Sequence, residues 1–246
     1  MNERSLLLKD LVKKMLGLLP FAVTQNQRYD RQTNAIIRRV CRRASNCVDV
    51  GTHRGEILDT MRQAAPEGTH FGFEPLPHFY DKLQQRYAGV AGIEVFPYAL
   101  SEAPGEASFN HVKTNPAYSG LQKRRYDRPH EEDETITVEM RTLDEVVGTR
   151  GVPIALIKID VEGGEMGVLR GARGLLARDK PVVIFEAGIG GSDVYGTTPG
   201  MLFDYLSGFG YRVSLMGRYL KGQPPFSRQD FAASFNGGHD YYFIAY

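Results

Sequence analysis

The sequence has 246 residues, of which 42% are hydrophobic and 24% charged, and its formal net charge is +1. This length and composition fit one large α/β domain with enough apolar residues for a core. The near-zero net charge predicts no general nucleic-acid binding, because no whole-protein field attracts phosphate groups.

Cysteine spacing and apolar run lengths bear on the cellular compartment. Cys41 and Cys47 match neither a metal-binding pair nor a CxxC redox motif, which favours two reduced thiols and a cytoplasmic protein. No apolar run reaches the roughly 18 residues that a membrane-spanning helix needs. We therefore expect no transmembrane segment.

The first 44 residues have the pattern of two helices. Apolar residues recur at helical spacing over 7–19 with charges on the opposite face, and a second helix is predicted over 30–43 after a polar turn at 24–27. We expect this N-terminal segment, 1–44, to pack on the core or on a partner subunit. Its amphipathic first helix is the element through which a homodimer would form.

From residue 45 to residue 246, short apolar strands alternate with amphipathic helices. The predicted strands are CVDVG at 47–51, HFGFEP at 70–75, IEVFPYAL at 93–100, ALIKID at 155–160, PVVIFEAG at 181–188, YRVSLM at 211–216 and DYYFIAY at 240–246. This alternation predicts an α/β domain with a mostly parallel sheet and helices on both faces. Residues 107–109 are predicted to lie in the first arm of a hairpin.

One stretch, 110–134, is polar and charged and interrupts the alternation. Loops of this length inside compact domains are usually either functional or disordered. We interpret the stretch as a lid-like insertion that closes over a ligand, with a merely solvated loop as the alternative.

Candidate ligand-binding residues follow the first two strands, since ligands of doubly wound sheets bind at the carboxyl ends of strands. Gly51 and Gly55 allow a tight backbone turn beside Asp49, and Glu74 stands where an acid holds the hydroxyls of a ribose. These features fit a dinucleotide or S-adenosylmethionine. His53 occupies the middle position where a dinucleotide site needs glycine, which favours S-adenosylmethionine.

Acidic residues follow the apolar runs ALIKI and PVVIF. Asp160 and Glu162 are candidate catalytic residues, whereas Glu165 fits a first-turn acid that the helix dipole favours. Glu186 is expected close to Asp160. Two carboxylates there could hold a magnesium ion, but their spacing does not require one, so the presence of a metal stays undecided. His239, just before the last strand, is a candidate catalytic base at the rim.

Five segments resemble the FkbM-type family of S-adenosylmethionine-dependent methyltransferases: VDVGTHRG, GFEPLP, YALSEAPG, the TLD at 142–144 and IKIDVEGGEMGVLRGA. The resemblance covers about 46–211, and KIDVEGGE is its most specific part. It implies a class I methyltransferase (Rossmann-like) fold, with a seven-stranded sheet whose last strand runs antiparallel.

The resemblance also implies roles for individual residues. The residues of the first glycine turn would surround the methionine part of the cofactor, Glu74 would hold its ribose, 99–101 would border its adenine, and Asp160 would face the methyl-transfer side. The implied cofactor-binding residues, with His53 as a pocket wall, are Asp49, Gly51, His53, Gly55, Glu74, Ala99, Leu100, Ser101 and Asp160.

The implied reaction is O-methylation of a hydroxyl on a sugar, a glycan or a small natural product. An amine or macromolecular acceptor for the same fold is the first alternative. A nicotinamide-dependent oxidoreductase and a non-catalytic cofactor-binding protein are two others.

Overall fold

The computed structural model describes residues 24–124, 126 and 130–246. The amphipathic helix predicted over 7–19, and with it the homodimer expected through that helix, lie outside the described residues. None of the described helices is long and apolar enough to cross a membrane.

Ten strands are found in the described part of the chain. They are β1 (Asn46–Val50), β2 (His70–Phe73), β3 (Ile93–Phe96), β4 (Tyr98–Leu100), β5 (Gly105–Val112), β6 (Asp133–Arg141), β7 (Ile154–Ile159), β8 (Val182–Glu186), β9 (Val213–Leu215) and β10 (Tyr242–Ala245). Seven of them form one sheet in the order β3-β2-β1-β7-β8-β10-β9. The last strand, β10, is antiparallel to both of its neighbours, and the pairs from β3 to β8 are parallel. The predicted fold class is confirmed.

Helices cover both faces of this sheet. The described α-helices are α1 (Gln25–Val40), α2 (Glu56–Ala64), α3 (Pro77–Tyr87), α4 (Leu143–Val146), α5 (Glu165–Gly171), α6 (Arg173–Arg178), α7 (Pro199–Gly208), α8 (Met216–Leu220) and α9 (Arg228–Gly237). Neighbouring residues of a strand face opposite layers, as the two-residue period of a strand requires. Leu156 therefore packs in the apolar layer with Ile36 and Leu58, while Ile157 packs in the other layer with Val168.

Helix α1 differs from the prediction at both ends. The sequence pattern placed a turn at 24–27 and a helix over 30–43, but the helix begins at Gln25 and ends at Val40. Thr24 and Gln27 form a capping box, in which each side chain bonds the backbone N–H of the other residue. These polar residues therefore start the helix rather than a turn.

The segment 93–100 is two strands, so its prediction as one strand was wrong. Pro97 has no N–H to donate to a ladder, and the chain leaves the main sheet there. Strand β4 instead joins a second sheet of three strands, in the order β4-β6-β5. The predicted hairpin starting near 107 is the β5–β6 pair of that sheet, with Phe109 opposite Ile136. Its arms reach into the polar stretch 110–134, so the connecting loop spans only 113–132.

Candidate active site

A cavity of about 370 Å³ opens at the carboxyl edge of the parallel strands. That volume is within the range of small-molecule sites. Most of the site residues predicted from the sequence line it: Asp49, Gly51, His53, Glu74, Ala99, Leu100, Asp160 and Glu162. The described residues Gly55, Ser101 and His239 do not.

The turn after β1 is built on two glycines with positive φ. Gly51 has φ 80°, and a Cβ on it would overlap the backbone carbonyl oxygen of Asp160. Gly55 has φ 84° at the N-terminal end of α2, where a Cβ would collide with the hydroxyl of Tyr87. Gly55 thus shapes the turn from behind the cavity, while Gly51 forms part of its wall.

We expect Gly51→Ala to lower the free energy of unfolding by at least about 3 kcal/mol. The strain of alanine in a left-handed conformation and the overlap of its Cβ with the Asp160 backbone both destabilise the variant. Gly89→Ala is the matched control, since Gly89 also has a positive φ of 71° but a Cβ added to it would meet nothing within 4 Å. The control should lose only about 1 kcal/mol. Urea denaturation of the two variants measures both values, and equal losses would contradict the close approach at Gly51.

Glu74 is a buried carboxyl held by two backbone amides. The N–H of His53 donates to Oε2 at 2.8 Å, and the N–H of Leu76 donates to Oε1 at 2.9 Å. Burial raises the pKa of Glu74 to about 7 in spite of these bonds. Each carboxylate oxygen has a second lone pair, so Glu74 retains acceptor capacity toward the cavity it lines.

Asp49 is a second buried carboxyl of the cavity, and only 1% of its surface is exposed. Within the described part of the chain, neither of its oxygens has a hydrogen-bond partner. The Nζ atom of Lys158 lies 4.0 Å from Oδ1, beyond hydrogen-bond distance. Burial raises the pKa of Asp49 to about 7, against the pull of Lys158. Because buried polar groups are normally bonded, this side chain is suited to a donor from a ligand.

His53 forms a wall of the cavity. Its ring packs against the ring of Phe79 with 4.0 Å between centroids, and its backbone has φ 50°. Burial, followed by the nearby Arg54, lowers the pKa of His53 to about 4. The imidazole is therefore neutral at physiological pH and adds no positive charge to the cavity.

The three residues proposed to border adenine divide between two cavities. Ala99 and Leu100, in β4, line the main cavity. Ser101 lies in an adjacent cavity, against Gly167 and Gly171 of α5, and its N–H bonds the carbonyl of Arg141. Ser101 thus fixes β4 to α5 and lies behind the wall that its two neighbours form.

Asp160, at the end of β7, is the centre of a hydrogen-bonded cluster. Lys158 Nζ donates to Asp160 Oδ2 at 2.9 Å, and the hydroxyl of Tyr242 donates to the same oxygen at 2.5 Å. Glu186, at the end of β8, has a carboxylate oxygen within 4.8 Å of one on Asp160, which confirms the predicted proximity. Tyr242 begins the antiparallel last strand, so its hydroxyl reaches the edge where the parallel strands end.

The protons in this cluster are unevenly distributed. Burial alone would raise the pKa of Asp160, but Lys158, Glu186 and Tyr242 outweigh it and bring the pKa to about 2. Burial and the negative charge of Asp160 raise the pKa of Glu186 well above its usual value. Asp160 is therefore ionised, and the raised pKa of Glu186 favours its protonated form.

Glu162 also lines the cavity, from a strained backbone position with φ 58°. Its carboxylate is paired with the guanidinium of Arg124, which comes from the loop 113–132. The guanidinium carbon lies 4.8 Å from the ring centroid of Tyr118, in the same loop. This ion pair joins the loop to the end of β7.

Three carboxylates, Asp160, Glu162 and Glu186, have oxygens within 4.8 Å of one another. One divalent cation would fit this spacing. The cations Lys158 and Arg124 already neutralise two of the three, and the proton on Glu186 neutralises the third. The cluster is electrically balanced by the chain's own groups.

Two further candidates lie outside the reactive end of the cavity. The carboxylate of Glu165 accepts the N–H groups of Val161 and Gly163 at 3.1 and 3.2 Å, so it stabilises the turn before α5. His239 lies beside the start of α1, where its carbonyl accepts from the side chain of Gln25.

Sequence reasoning missed Lys158, Tyr242 and Arg124. A lysine inside the apolar ALIKI strand was a usable signal, because a buried lysine needs a carboxylate partner. Tyr242 gave no comparable signal, since its role depends on the antiparallel direction of β10.

The sequence matches the family described as the methyltransferase FkbM domain over residues 49–213. This span contains the glycine turn, Glu74 and the Asp160 segment, and it is more than half of the chain. The protein belongs to this family.

Two curated relatives show the range of similarity. Methyltransferase 1 of Beauveria bassiana is 27% identical over 143 residues, covering 50% of this chain and 57% of that protein. The hexuronic acid methyltransferase AglP of Haloferax volcanii is 30% identical over 127 residues, which is 50% of each chain. The chain therefore spans little more than half the length of the curated relatives it matches.

A solved structure of an FkbM methyltransferase from Methylobacillus flagellatus has the same fold, with a TM-score of 0.52 and 18% sequence identity. The match covers 84% of this chain and 45% of that one. At this identity the similarity establishes the fold alone.

Proposed function

We propose that this protein is an S-adenosylmethionine-dependent methyltransferase that methylates a hydroxyl of a sugar or a small natural product. The observation that carries the proposal is the pair of buried carboxyls, Asp49 and Glu74, on either side of the Gly51 turn in one cavity. Glu74 is suited to the two ribose hydroxyls, and the unpartnered oxygens of Asp49 are suited to the ammonium of the methionine moiety.

The same carboxyls disfavour a dinucleotide. A pyrophosphate needs backbone N–H donors and close approach at a glycine, without nearby negative charge. Here the ring of His53 packs against that of Phe79 at the turn after β1, and the carboxyls of Asp49 and Glu74 border the turn. A cationic sulfonium compound gains from those charges, whereas a pyrophosphate is repelled by them.

The chemistry then divides between the cofactor and the chain. When bound, S-adenosylmethionine supplies an activated methyl group, whose carbon–sulfur bond breaks as the acceptor oxygen bonds to the carbon. Asp160 is ionised and partly open to the cavity, so it accepts a hydrogen bond from the acceptor hydroxyl and takes the proton late in the transfer, when the new carbon–oxygen bond makes that oxygen positive and a weak base suffices. Lys158 and Tyr242 orient that carboxylate, and the surrounding walls exclude water.

A neutral hydroxyl fits this end of the cavity better than a carboxylate acceptor does. At this end of the cavity Lys158 is paired with Asp160, and Arg124 with Glu162, so an incoming carboxylate would have to displace one of these acids. Arg54 is a further cation of the cavity lining. The name of the Haloferax volcanii relative, a hexuronic acid methyltransferase, supports a sugar acceptor but does not distinguish the hydroxyls of that sugar from its carboxylate.

The loop 113–132 is proposed to act as the cover of the site. Pro116, Ser119 and Leu121 line the cavity, and the Arg124–Glu162 ion pair ties the loop to its floor. The N–H of Gln122 also donates to the hydroxyl of Tyr195 at 2.9 Å, so opening must break this bond together with the largely buried ion pair. Opening would admit both ligands, and closure would exclude water during methyl transfer.

Calorimetric titration tests the cofactor. Wild-type protein should bind S-adenosylmethionine and S-adenosylhomocysteine with micromolar dissociation constants, and NAD should produce no heat of binding at the same concentrations. Binding of NAD in preference to both sulfur compounds would overturn the proposal.

The affinity for S-adenosylhomocysteine should fall as the pH is lowered below about 7. In the free protein Glu74 and Asp49 both have a pKa of about 7, and the ligand's hydroxyls and ammonium favour the ionised carboxylates. Below pH 7 each carboxyl must therefore release a proton on binding, which costs up to about tenfold in affinity per pH unit. Titrations between pH 5.5 and 7.5 measure this slope. A flat profile would contradict the assignment of these two carboxyls to the cofactor.

A further inference from the structure

The first three turns of helix α1 lie over the carboxyl edge of the sheet. The ring of Tyr29 lies 5.1 Å from the ring of Tyr242, and its hydroxyl donates to Asp240 Oδ1 at 3.1 Å. At the other end of the helix, Cys41 Sγ is 3.4 Å from Cys47 Sγ at the start of β1. The helix thus spans the sheet from its amino edge to its carboxyl edge, and only its first turns reach the cavity.

Four residues of these turns line the cavity: Tyr29, Asp30, Thr33 and Asn34. Their spacing places them on one side of the helix, because residues three and four apart are neighbours on a helical surface, as Tyr29 and Thr33, Asp30 and Thr33, and Asp30 and Asn34 are. All four carry polar groups, whereas the adjacent Ile36 and Ile37 are fully buried in the core. We call these four residues the α1 stripe.

Two members of the α1 stripe lack strong hydrogen-bond partners. The Oδ1 atom of Asn34 is sealed from solvent and has no partner among the described residues. Thr33 is 4% exposed, and its hydroxyl contacts the sulfur of Met216 at 3.6 Å, a weak acceptor. Leaving buried polar groups unbonded costs about 1–3 kcal/mol each, so their presence at a cavity points to a ligand that bonds them.

We infer that the α1 stripe is the binding surface for the acceptor, and that the acceptor is a polyhydroxylated ring such as a hexose. This inference rests on the proposed methyltransferase function. Each sugar hydroxyl both donates and accepts, and so do the amide of Asn34 and the hydroxyl of Thr33. Tyr29 places the stripe beside Tyr242, whose hydroxyl bonds Asp160, so a ring on the stripe has its hydroxyls near the proposed base.

An apolar acceptor would not suit this surface. It would cover the amide of Asn34 and the hydroxyl of Thr33 without hydrogen-bonding them. The cost of removing these two groups from water would then weaken its binding. A flat aromatic natural product therefore fits the stripe less well than a sugar does. An anionic polymer is disfavoured as well, because the carboxylate of Asp30 forms part of the same surface.

Saturation-transfer NMR on protein saturated with S-adenosylhomocysteine tests the inference. The probes are the methyl glycosides of glucose, galactose, mannose, rhamnose and glucuronic acid, with catechol as an apolar aromatic probe. Asn34→Leu removes the amide at similar volume, and Thr33→Val removes the hydroxyl with the same shape. Ala35→Ser is the control, since Ala35 is exposed on the same helix.

We expect at least one glycoside to bind the wild type and the control alike, with affinity at least about tenfold lower in Asn34→Leu and severalfold lower in Thr33→Val. The dissociation constant of S-adenosylhomocysteine should stay within twofold in every variant. The inference fails if the wild type binds S-adenosylhomocysteine but no glycoside, if catechol alone binds, or if the variants bind glycosides normally. It also fails if they lose S-adenosylhomocysteine instead, because the stripe would then belong to the cofactor. Absence of S-adenosylhomocysteine binding in the wild type would instead refute the proposed function.

Discussion

Glu74→Gln is expected to weaken the binding of S-adenosylmethionine by about 100-fold. The substitution keeps the size of the side chain and one acceptor for the backbone N–H groups, but it removes the charge that strengthens two bonds to the ribose. Hydrogen bonds to charged groups contribute about 1.5–3 kcal/mol each, and about 2.8 kcal/mol is a factor of 100. Calorimetric titration at pH 7.5 measures the change.

Stability separates this effect from unfolding. Glutamine turns its NH2 toward one of the two backbone N–H groups that the carboxylate bonds, so the melting temperature should fall modestly while the variant still folds. Glu67→Gln is the control, because Glu67 is an exposed acid paired with Arg43, and it should bind the cofactor normally. A loss of less than threefold in Glu74→Gln would remove this residue from the binding site. The variant should also show a shallower pH dependence of affinity than the wild type, since one of the two titrating carboxyls is gone.

Asp160→Asn is expected to lower kcat about 1,000-fold while cofactor affinity changes by less than about fivefold. A base that takes the acceptor proton contributes roughly 100- to 10,000-fold to the rate. The loss is read in a single-turnover assay of methyl transfer from S-adenosylmethionine to the glycoside that binds best. Equal activity of the variant and the wild type would show that another group accepts the proton.

This substitution also unpairs Lys158, so stability must be followed in parallel. Breaking one side of a buried ion pair costs about 3–5 kcal/mol. Tyr242→Phe is the second variant, because it removes one donor to Asp160 and leaves the ion pair with Lys158 intact. It should fold normally and lower kcat by about tenfold, because Asp160 loses one of the donors that orient it, while KM for the acceptor changes by less. An unchanged kcat would argue against Tyr242 as a positioning residue.

The site residues at the strand ends were predictable from the sequence, because the strands and the residues that follow them obey two general rules. Buried parallel strands are continuous apolar runs, and the first polar residues after them lie together at one edge of the sheet. Asp49, Glu74 and Asp160 follow this rule, and the structure places all three around one cavity. The antiparallel direction of the last strand came from the family resemblance and not from residue patterns.

Other features depend on contacts that sequence spacing does not encode. Pro97 separates two strands that the apolar pattern joins, and Ser101 consequently faces α5 instead of the cavity. His239 was placed at the rim from its position before the last strand, but its carbonyl contacts α1. Arg124 reaches Glu162 across 38 residues of sequence, through a loop with no periodic pattern.

The crystal structure of the complex with S-adenosylhomocysteine tests the central claim most directly. We predict that the two ribose hydroxyls bond the carboxylate of Glu74, that the ammonium lies on Asp49, and that the thioether sulfur faces Asp160. A nucleoside bound elsewhere, or with its ribose turned away from Glu74, would contradict the proposed site and with it the roles assigned to Asp49 and Asp160.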